Sequence, residues 1–362
     1  MKILTVIGAR PQFIKAAVVS DAIHTFKGRL NEVLVHTGQH FDNNMSDIFF
    51  DELGIRKPDH HLGINGGGQG AQTGRMLEAI EKVCLLEKPS GLLVYGDTNS
   101  TLAGGLAAAK LHIPLAHIEA GLRSYNRKMP EEINRVLTDH LAEILFAPTE
   151  NAVNNLAMEG IRGERVIRTG DVMYDASLRF LSEAKQRSHI LKTFGLQSKG
   201  YILATVHRAE NTNNHDRLLN ILSALSILSE RQIVILPLHP RTRNIISKDE
   251  RLSRAIKGVR VVEPLGYLDF LMLESNACLI ATDSGGIQKE SYFYRVPCVT
   301  LRDETEWVEL VNSGWNHLAP PNSVEGILSV SRAAISSTGM DIDLYGTGNS
   351  ASEIVVTLAK RW

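Results

Sequence analysis

The chain has 362 residues, 43% hydrophobic and 22% charged, which is room for about two domains at ~150 residues each, each with its own buried core. Thirty-nine basic against forty acidic residues leave a formal net charge of −1; this excludes a generic nucleic-acid surface, which recruits a Lys/Arg excess, but not a small anionic ligand. Three scattered cysteines, Cys84, Cys278 and Cys298, form neither a disulfide framework nor a close metal pair and read as free thiols of a reducing compartment.

The chain opens on a short apolar run that goes straight into a glycine turn, without the longer hydrophobic region of a signal peptide. No stretch approaches the ~20 apolar residues of a membrane span. The expectation is a cytoplasmic protein with no membrane partner.

Short apolar runs then recur at Ile3–Ile7, Glu32–His36, Gly91–Tyr95, Pro114–Ile118, Ile144–Ala147 and Val166–Thr169. A second series holds Tyr201–Thr205, Gln232–Pro237, Val259–Val262, Ala277–Ala281 and Pro297–Leu301. Such runs read as buried parallel strands. Between them, Thr98–Leu111, Glu131–Leu141, His215–Ser229 and Gly286–Phe293 read as helices. The alternation predicts an α/β protein of two doubly wound, Rossmann-like domains. The polar stretch Ser182–Gly200 separates the two series. The expected division is 1–172 plus 346–362 against 173–345, with a last helix, Ser350–Ala359, returning to the first domain.

Ligands of doubly wound sheets sit beyond the carboxyl ends of the strands, so the residues that follow each run carry the functional information. Gly8-Ala9-Arg10-Pro11-Gln12 and Lys15 follow the first run. A glycine turn, free backbone N–H groups and two cations one turn apart make a candidate phosphate site, although no dinucleotide fingerprint is present. Gly96-Asp97-Thr98 follows the third run, where capping of the next helix is the plain explanation and acid/base work the alternative. Glu119 follows the fourth, and Pro130-Glu131-Glu132 makes a good helix start. Asp97, Glu119 and Glu131 would thus converge from one sheet edge. Converging carboxylates repel, and a proton held among them suits proton transfer near neutral pH.

In the second series, Tyr201–Thr205 leads into His207-Arg208, Gln232–Pro237 leads to His239, and Ala277–Ala281 leads into Asp283-Ser284-Gly285-Gly286. Small residues at a strand-to-helix junction let N–H groups approach an anion, and the helix dipole favours it. Glu290, one turn on, is placed to bind ribose hydroxyls. One sheet edge is therefore rich in carboxylates and the other in diphosphate-type features, so a cleft between the domains is the expected active site.

GARPQFIK, TGQH, GDTNST, HIEAGLRS, PEEINR, APTE, TGD, HRAEN, LHPRT and TDSGGIQKE occur in that order. Together they resemble the non-hydrolysing UDP-N-acetylglucosamine 2-epimerase family over nearly the whole chain. The resemblance implies the GT-B arrangement of two Rossmann-like domains and a homodimer that supplies activated sugars to surface polysaccharide such as lipopolysaccharide. It implies a UDP-sugar substrate, with no cofactor and no metal. Asp97, Glu119 and Glu131 match the carboxylates of proton transfer at C2, and His207 the histidine near the leaving diphosphate. Arg10, Lys15 and Arg135 match basic or sugar-site positions. His239, Ser284, Gly285, Gly286 and Glu290 match the UDP-binding set, and Gln39, His40 and Arg75 match allosteric positions.

Two departures stand out. The T-E-R-P-E typical of the UDP-N-acetylglucosamine enzymes reads Thr305-Glu306-Trp307-Val308-Glu309 here, a version that resembles relatives acting on UDP-2,3-diacetamido-2,3-dideoxyglucuronate or deoxy-amino sugars, and a second allosteric polar position holds Asp42. The expected reaction is UDP-N-acetylglucosamine to its manno epimer; the alternative substrate is UDP-2,3-diacetamido-2,3-dideoxyglucuronate or a related sugar. A GT-B glycosyltransferase, a hydrolysing 2-epimerase and a non-catalytic nucleotide-sugar sensor are the rival readings.

Overall fold

The computed structural model describes residues 1–26, 30–39, 54 and 56–362, apart from the side chain of Arg10. The chain divides into two compact units: Met1–Leu178 with Asp343–Trp362, and Arg179–Ile342. The division falls inside the helix Val172–Arg187 rather than before it. The start of this helix is tied to the first unit, where Asp175 accepts a 2.8 Å bond from the Ala351 N–H. Its continuation belongs to the second, where Phe180 meets Tyr267 edge-on at 5.7 Å. The polar stretch read as a separator therefore contains helix.

The first unit is a seven-stranded sheet in the order β3-β2-β1-β4-β5-β6-β7. Its strands are β1 (Lys2–Ile7), β2 (Asn31–His36), β3 (His60–His61), β4 (Gly91–Tyr95), β5 (Leu115–Ile118), β6 (Ile144–Ala147) and β7 (Val166–Arg168). All pairings are parallel, and β4 is buried at every position, as a strand covered on both faces must be. One face packs Leu4, Val6, Leu92 and Val94 against Met76, Ile80, Ala103 and Ala107 of flanking helices. The helix Asn99–Lys110 lies close because it is small-sided: a Cβ on Gly104 would sit 3.0 Å from Val94. The final helix, Ser350–Arg361, packs on the helix Arg10–Thr25.

The second unit is a six-stranded parallel sheet in the order β10-β9-β8-β11-β12-β13. Its strands are β8 (Tyr201–Thr205), β9 (Ile233–Pro237), β10 (Arg260–Val262), β11 (Leu279–Thr282), β12 (Cys298–Thr300) and β13 (Asn316–Leu318). Its core is fed by the helix His215–Ser229, whose Leu218, Ile221, Leu222 and Leu225 are fully buried; each such burial contributes about 1.5–3 kcal/mol. Strand order reverses between β1 and β4 in one sheet and between β8 and β11 in the other, so each unit has a switch point where a ligand crevice forms. Among the described residues no helix is long and apolar enough to cross a membrane.

Candidate active site

Beyond the carboxyl ends of β1, β4 and β5 the first unit holds a pocket. Asp97, Glu119 and Glu131, delivered by three different elements, all line it, together with Lys15, Gln12, Gln39, Gln69, Asn99 and Asn134. Asp97 follows Gly96, which closes β4 at φ 62°. Glu119 itself has φ 70°, a left-handed conformation that is uncommon without glycine and tends to persist where neighbouring bonds dictate it. Its N–H and that of Ala120 both reach the Phe146 carbonyl, at 3.1 and 3.0 Å. Gly96 leaves room for the carboxylate, since a Cβ there would lie 3.2 Å from Glu119 Oε2.

The two glutamates of the Pro130–Leu141 helix part ways. Glu131 is exposed and faces the pocket. Glu132 is buried and accepts from the Ser124 N–H, the Tyr125 N–H and the Ser124 hydroxyl at 2.9, 2.9 and 3.0 Å. It thereby folds the preceding loop back on the helix start.

Two of the three pocket carboxylates carry a cation. Lys15 Nζ pairs with Glu119, and Arg135 Nη2 lies 2.5 Å from Asp97 Oδ2. The carboxylates therefore do not simply repel one another, as their convergence alone implied; a cation beside each offsets the repulsion. Asn134, on the same helix face as Glu131, donates to the Asp97 carbonyl at 2.9 Å and to Asn99 Oδ1 at 3.2 Å.

The turn after β1 differs from expectation. The Gly8 and Ala9 N–H groups are not free for phosphate: both donate to Gln12 Oε1, at 2.8 and 3.0 Å. Pro11 has no N–H to offer. The sequence Gly-Ala-Arg-Pro-Gln caps its own helix, and Lys15 is committed to Glu119. The Arg10 side chain, His40 and Asp42 lie outside the described residues.

Of the other positions expected to be allosteric, Gln39 lines the same pocket, its Oε1 accepting from the Ser100 N–H and hydroxyl at 3.0 and 2.7 Å. Arg75 is exposed and donates to the carbonyls of Asn65 and Gly66 at 3.1 and 2.6 Å, so it is spent on bracing a glycine-rich turn.

In the second unit, His207 and Ser284 follow β8 and β11 at the switch point. Between them lies Asp283, fully buried, which sequence reading quoted in a motif without a role. It accepts from the His207 N–H at 3.1 Å, the Arg208 N–H at 3.0 Å and Asn211 Nδ2 at 3.1 Å. Its Oδ1 also lies 3.3 Å from Nδ1 of the half-exposed His207 ring. The helix Gly285–Phe293 begins beside Glu306: a Cβ on Gly285 would come within 2.6 Å of Glu306 Oε1. Burial pushes the Glu306 carboxyl up, but Arg302 and Arg208 outweigh it and hold the group below its ordinary range. Among the described residues, no acceptor is recorded for the Gly285 and Gly286 N–H groups.

Glu290 is mostly buried and is reached by the Tyr267 hydroxyl at 3.4 Å. His239 is exposed after β9 and caps the helix Pro240–Ser247 through Nδ1. Trp307 is buried, with Lys289 Nζ 4.3 Å from its ring centroid, a cation–π contact. Among the described residues no group of His, Cys, Asp or Glu is placed to hold a metal ion.

The family model described as UDP-N-acetylglucosamine 2-epimerase matches residues 23–359. The UDP-2,3-diacetamido-2,3-dideoxy-D-glucuronate 2-epimerase of Pseudomonas aeruginosa is 54% identical over 368 residues, covering 99% of this chain and 100% of the relative. The solved UDP-GlcNAc 2-epimerase of Methanocaldococcus jannaschii, in complex with UDP-GlcNAc and UDP, is 42% identical with a TM-score of 0.91, covering 99% of this chain and 100% of that one. The Neisseria meningitidis enzyme bound to UDP-GlcNAc is 34% identical with a TM-score of 0.90 and full coverage of both chains, 100% each.

Proposed function

Since the chain belongs to the UDP-N-acetylglucosamine 2-epimerase family, we propose that it inverts C2 of a UDP-linked 2-acetamido sugar by eliminating and re-adding UDP. The C2 hydrogen of such a sugar has no neighbouring ring carbonyl to make it acidic. Removing it alone would leave an unstabilised carbanion. The barrier falls if the C1–O bond breaks as the proton leaves: the C–H electron pair becomes the C1=C2 bond of a glycal, and UDP departs with the C1–O pair. Return of UDP to C1 and of a proton to the other face of C2 completes the inversion.

This chemistry asks for a carboxylate base, an acid for the opposite face, and donors for the charge developing on UDP. The carrying observation is that Asp97, Glu119 and Glu131 share one pocket. We assign them the proton transfers. We assign His207, braced by Asp283, the Ser284–Gly286 helix start and Arg10 to the leaving diphosphate, with His239 and Glu290 on the nucleotide and Lys15 and Arg135 on the pocket carboxylates and sugar. Gln39 lines the same pocket as the carboxylates, which fits a substrate contact as well as an effector contact.

For the sugar, the 54% identity to the diacetamido-glucuronate enzyme against 42% to the M. jannaschii enzyme, with Trp307 in place of the arginine typical of UDP-N-acetylglucosamine enzymes, favours UDP-2,3-diacetamido-2,3-dideoxyglucuronate. UDP-N-acetylglucosamine is the second reading. A cytoplasmic homodimer supplying surface polysaccharide fits the family.

The test is incubation with each UDP-sugar in deuterated water, read by NMR. Deuterium at C2 of both epimers, without any acceptor, is the expected result. Turnover that requires an acceptor would point to a glycosyltransferase, and free sugar with UDP to a hydrolysing epimerase.

A further inference from the structure

His117 lies on β5 with no exposed surface, two residues before Glu119. Its Nε2 is 2.7 Å from the Gly96 carbonyl oxygen, and its Nδ1 is 2.7 Å from Asp139 Oδ1. A carbonyl can only accept, so Nε2 carries a hydrogen and donates it. Asp139 is fully buried as well; it also accepts from the Gly121 N–H at 3.0 Å and from Arg123 Nη1 at 2.7 Å. Arg123 in turn forks onto Glu159 through Nε and Nη2, at 2.7 and 2.8 Å. Burial works against the Asp139 carboxylate, yet the His117 and Arg123 contacts outweigh it and keep the group below its ordinary range.

One imidazole therefore joins the carbonyl immediately before Asp97 to the strand that delivers Glu119. Through Asp139 it also fixes the N–H two residues past Glu119. The backbone here is unusual: Gly96, Glu119 and Gly121 have φ of 62°, 70° and 83°. A left-handed glutamate persists where its surroundings dictate it. A core histidine satisfied at random would need only two polar partners of any kind. The acceptors found here are the two that set the geometry of the carboxylate turns.

We propose that His117, braced by Asp139, is a positioning residue for proton transfer at C2, holding the Asp97 and Glu119 turns at a fixed separation. It touches no substrate, and the proposal rests on the epimerase reading above. A displacement of the reacting groups by about 1 Å is enough to cost on the order of 100-fold in rate.

Two conservative variants separate positioning from simple core packing. In His117→Gln the amide nitrogen takes the place of Nε2 and can still reach Gly96; in His117→Asn it takes the place of Nδ1 and can reach only Asp139. His117→Gln is expected to keep kcat within about tenfold of wild type and His117→Asn to lose about 100-fold. Both should hold KM and the UDP dissociation constant within about twofold. Equal kcat in both variants and wild type, losses that simply follow Tm, or a change confined to KM overturns the proposal. If either variant fails to fold, a crystal structure of the wild-type protein decides: Nε2 within hydrogen-bond reach of the Gly96 carbonyl supports it, and a separation beyond about 3.5 Å overturns it. Wild-type protein that exchanges no deuterium at C2 with any UDP-sugar removes the epimerase reading, and this proposal with it. Normal wild-type exchange beside fully active variants removes the proposal alone.

Discussion

Two of the three pocket carboxylates are held, each in its own way. Asp97 is gripped by Arg135 and, through its backbone, by Asn134. Glu119 is gripped by Lys15 and by its own turn. Glu131 is exposed, and among the described residues no cation is recorded against it. A proton-transfer group that loses its charge forfeits about 10²–10⁴-fold in rate. Asp97→Asn, Glu119→Gln and Glu131→Gln are each expected to lower kcat by that order while UDP, whose proposed contacts are Arg10 and residues of the other unit and none of these three, still binds by calorimetry. Near-full turnover in all three would leave the chemistry without a base. Gly8 makes a different kind of demand: a Cβ there would overlap Ser100 Oγ and Thr37 Oγ1. Gly8→Ala should cost about 1–3 kcal/mol, as overpacking does, read as a lowered Tm; an unchanged Tm would mean that this turn yields more easily than its contacts indicate.

At the scale of elements, the helices Tyr267–Asn276 and Gly285–Phe293 bring Glu274 and Glu290 into the interior of the second unit. Burial, and then the charge of Glu290, push the Glu274 carboxyl well above its ordinary value of 4.5. In the unfolded chain Glu274 gives up its proton as pH rises through that value, whereas in the folded chain it keeps it. The folded state then binds more protons, so this group's contribution to stability falls as pH rises. Wild-type Tm should decline relative to that of Glu274→Gln between about pH 5 and about pH 8; parallel curves would show that the buried acid does not titrate in this way. The strands were legible because a parallel strand covered on both faces is an unbroken apolar run, and β4 and β8 show it residue by residue. Two short edge strands were not: His60–His61 and Asn316–Leu318 hold one apolar residue between them, whereas the equally short Val166–Arg168 and Arg260–Val262 each carry an apolar pair. The helix Gln69–Glu87 starts directly after three glycines, yet Met76, Ile80, Val83 and Cys84 recur at helical spacing and could have disclosed it. Asp97 and Glu119 were legible because each follows a strand, and Glu131 because it opens a helix behind Pro130. The cations paired with them were not, since Lys15–Glu119 and Arg135–Asp97 join residues far apart in the chain. Asp283 was hidden for the same reason: its partners arrive from β8.

For the whole molecule, the two units differ in how the chain builds them. The second is one continuous segment with its own sheet and core. The first is not complete until the chain returns. In the final helix Ala351, Ile354, Val355 and Leu358 are buried, and Trp362 presses its ring against Gly91. The Tyr345 carbonyl accepts from the Asp171 N–H at 3.0 Å. Losing the burial of Ile354, Val355 and Leu358 at about 1.5–3 kcal/mol each would remove much of the ~5–15 kcal/mol that keeps a domain folded. A chain ending at Ile342 should therefore lose the first unit's melting transition while the second unit's persists. Because His207, His239, Ser284 and Glu290 all belong to that second unit, the shortened protein should still bind UDP, and UDP should raise the remaining transition by mass action. Scanning calorimetry with and without UDP makes the measurement. Two intact transitions would mean that the last helix is dispensable, and a surviving second transition indifferent to UDP would mean that the nucleotide is not held by the residues assigned to it.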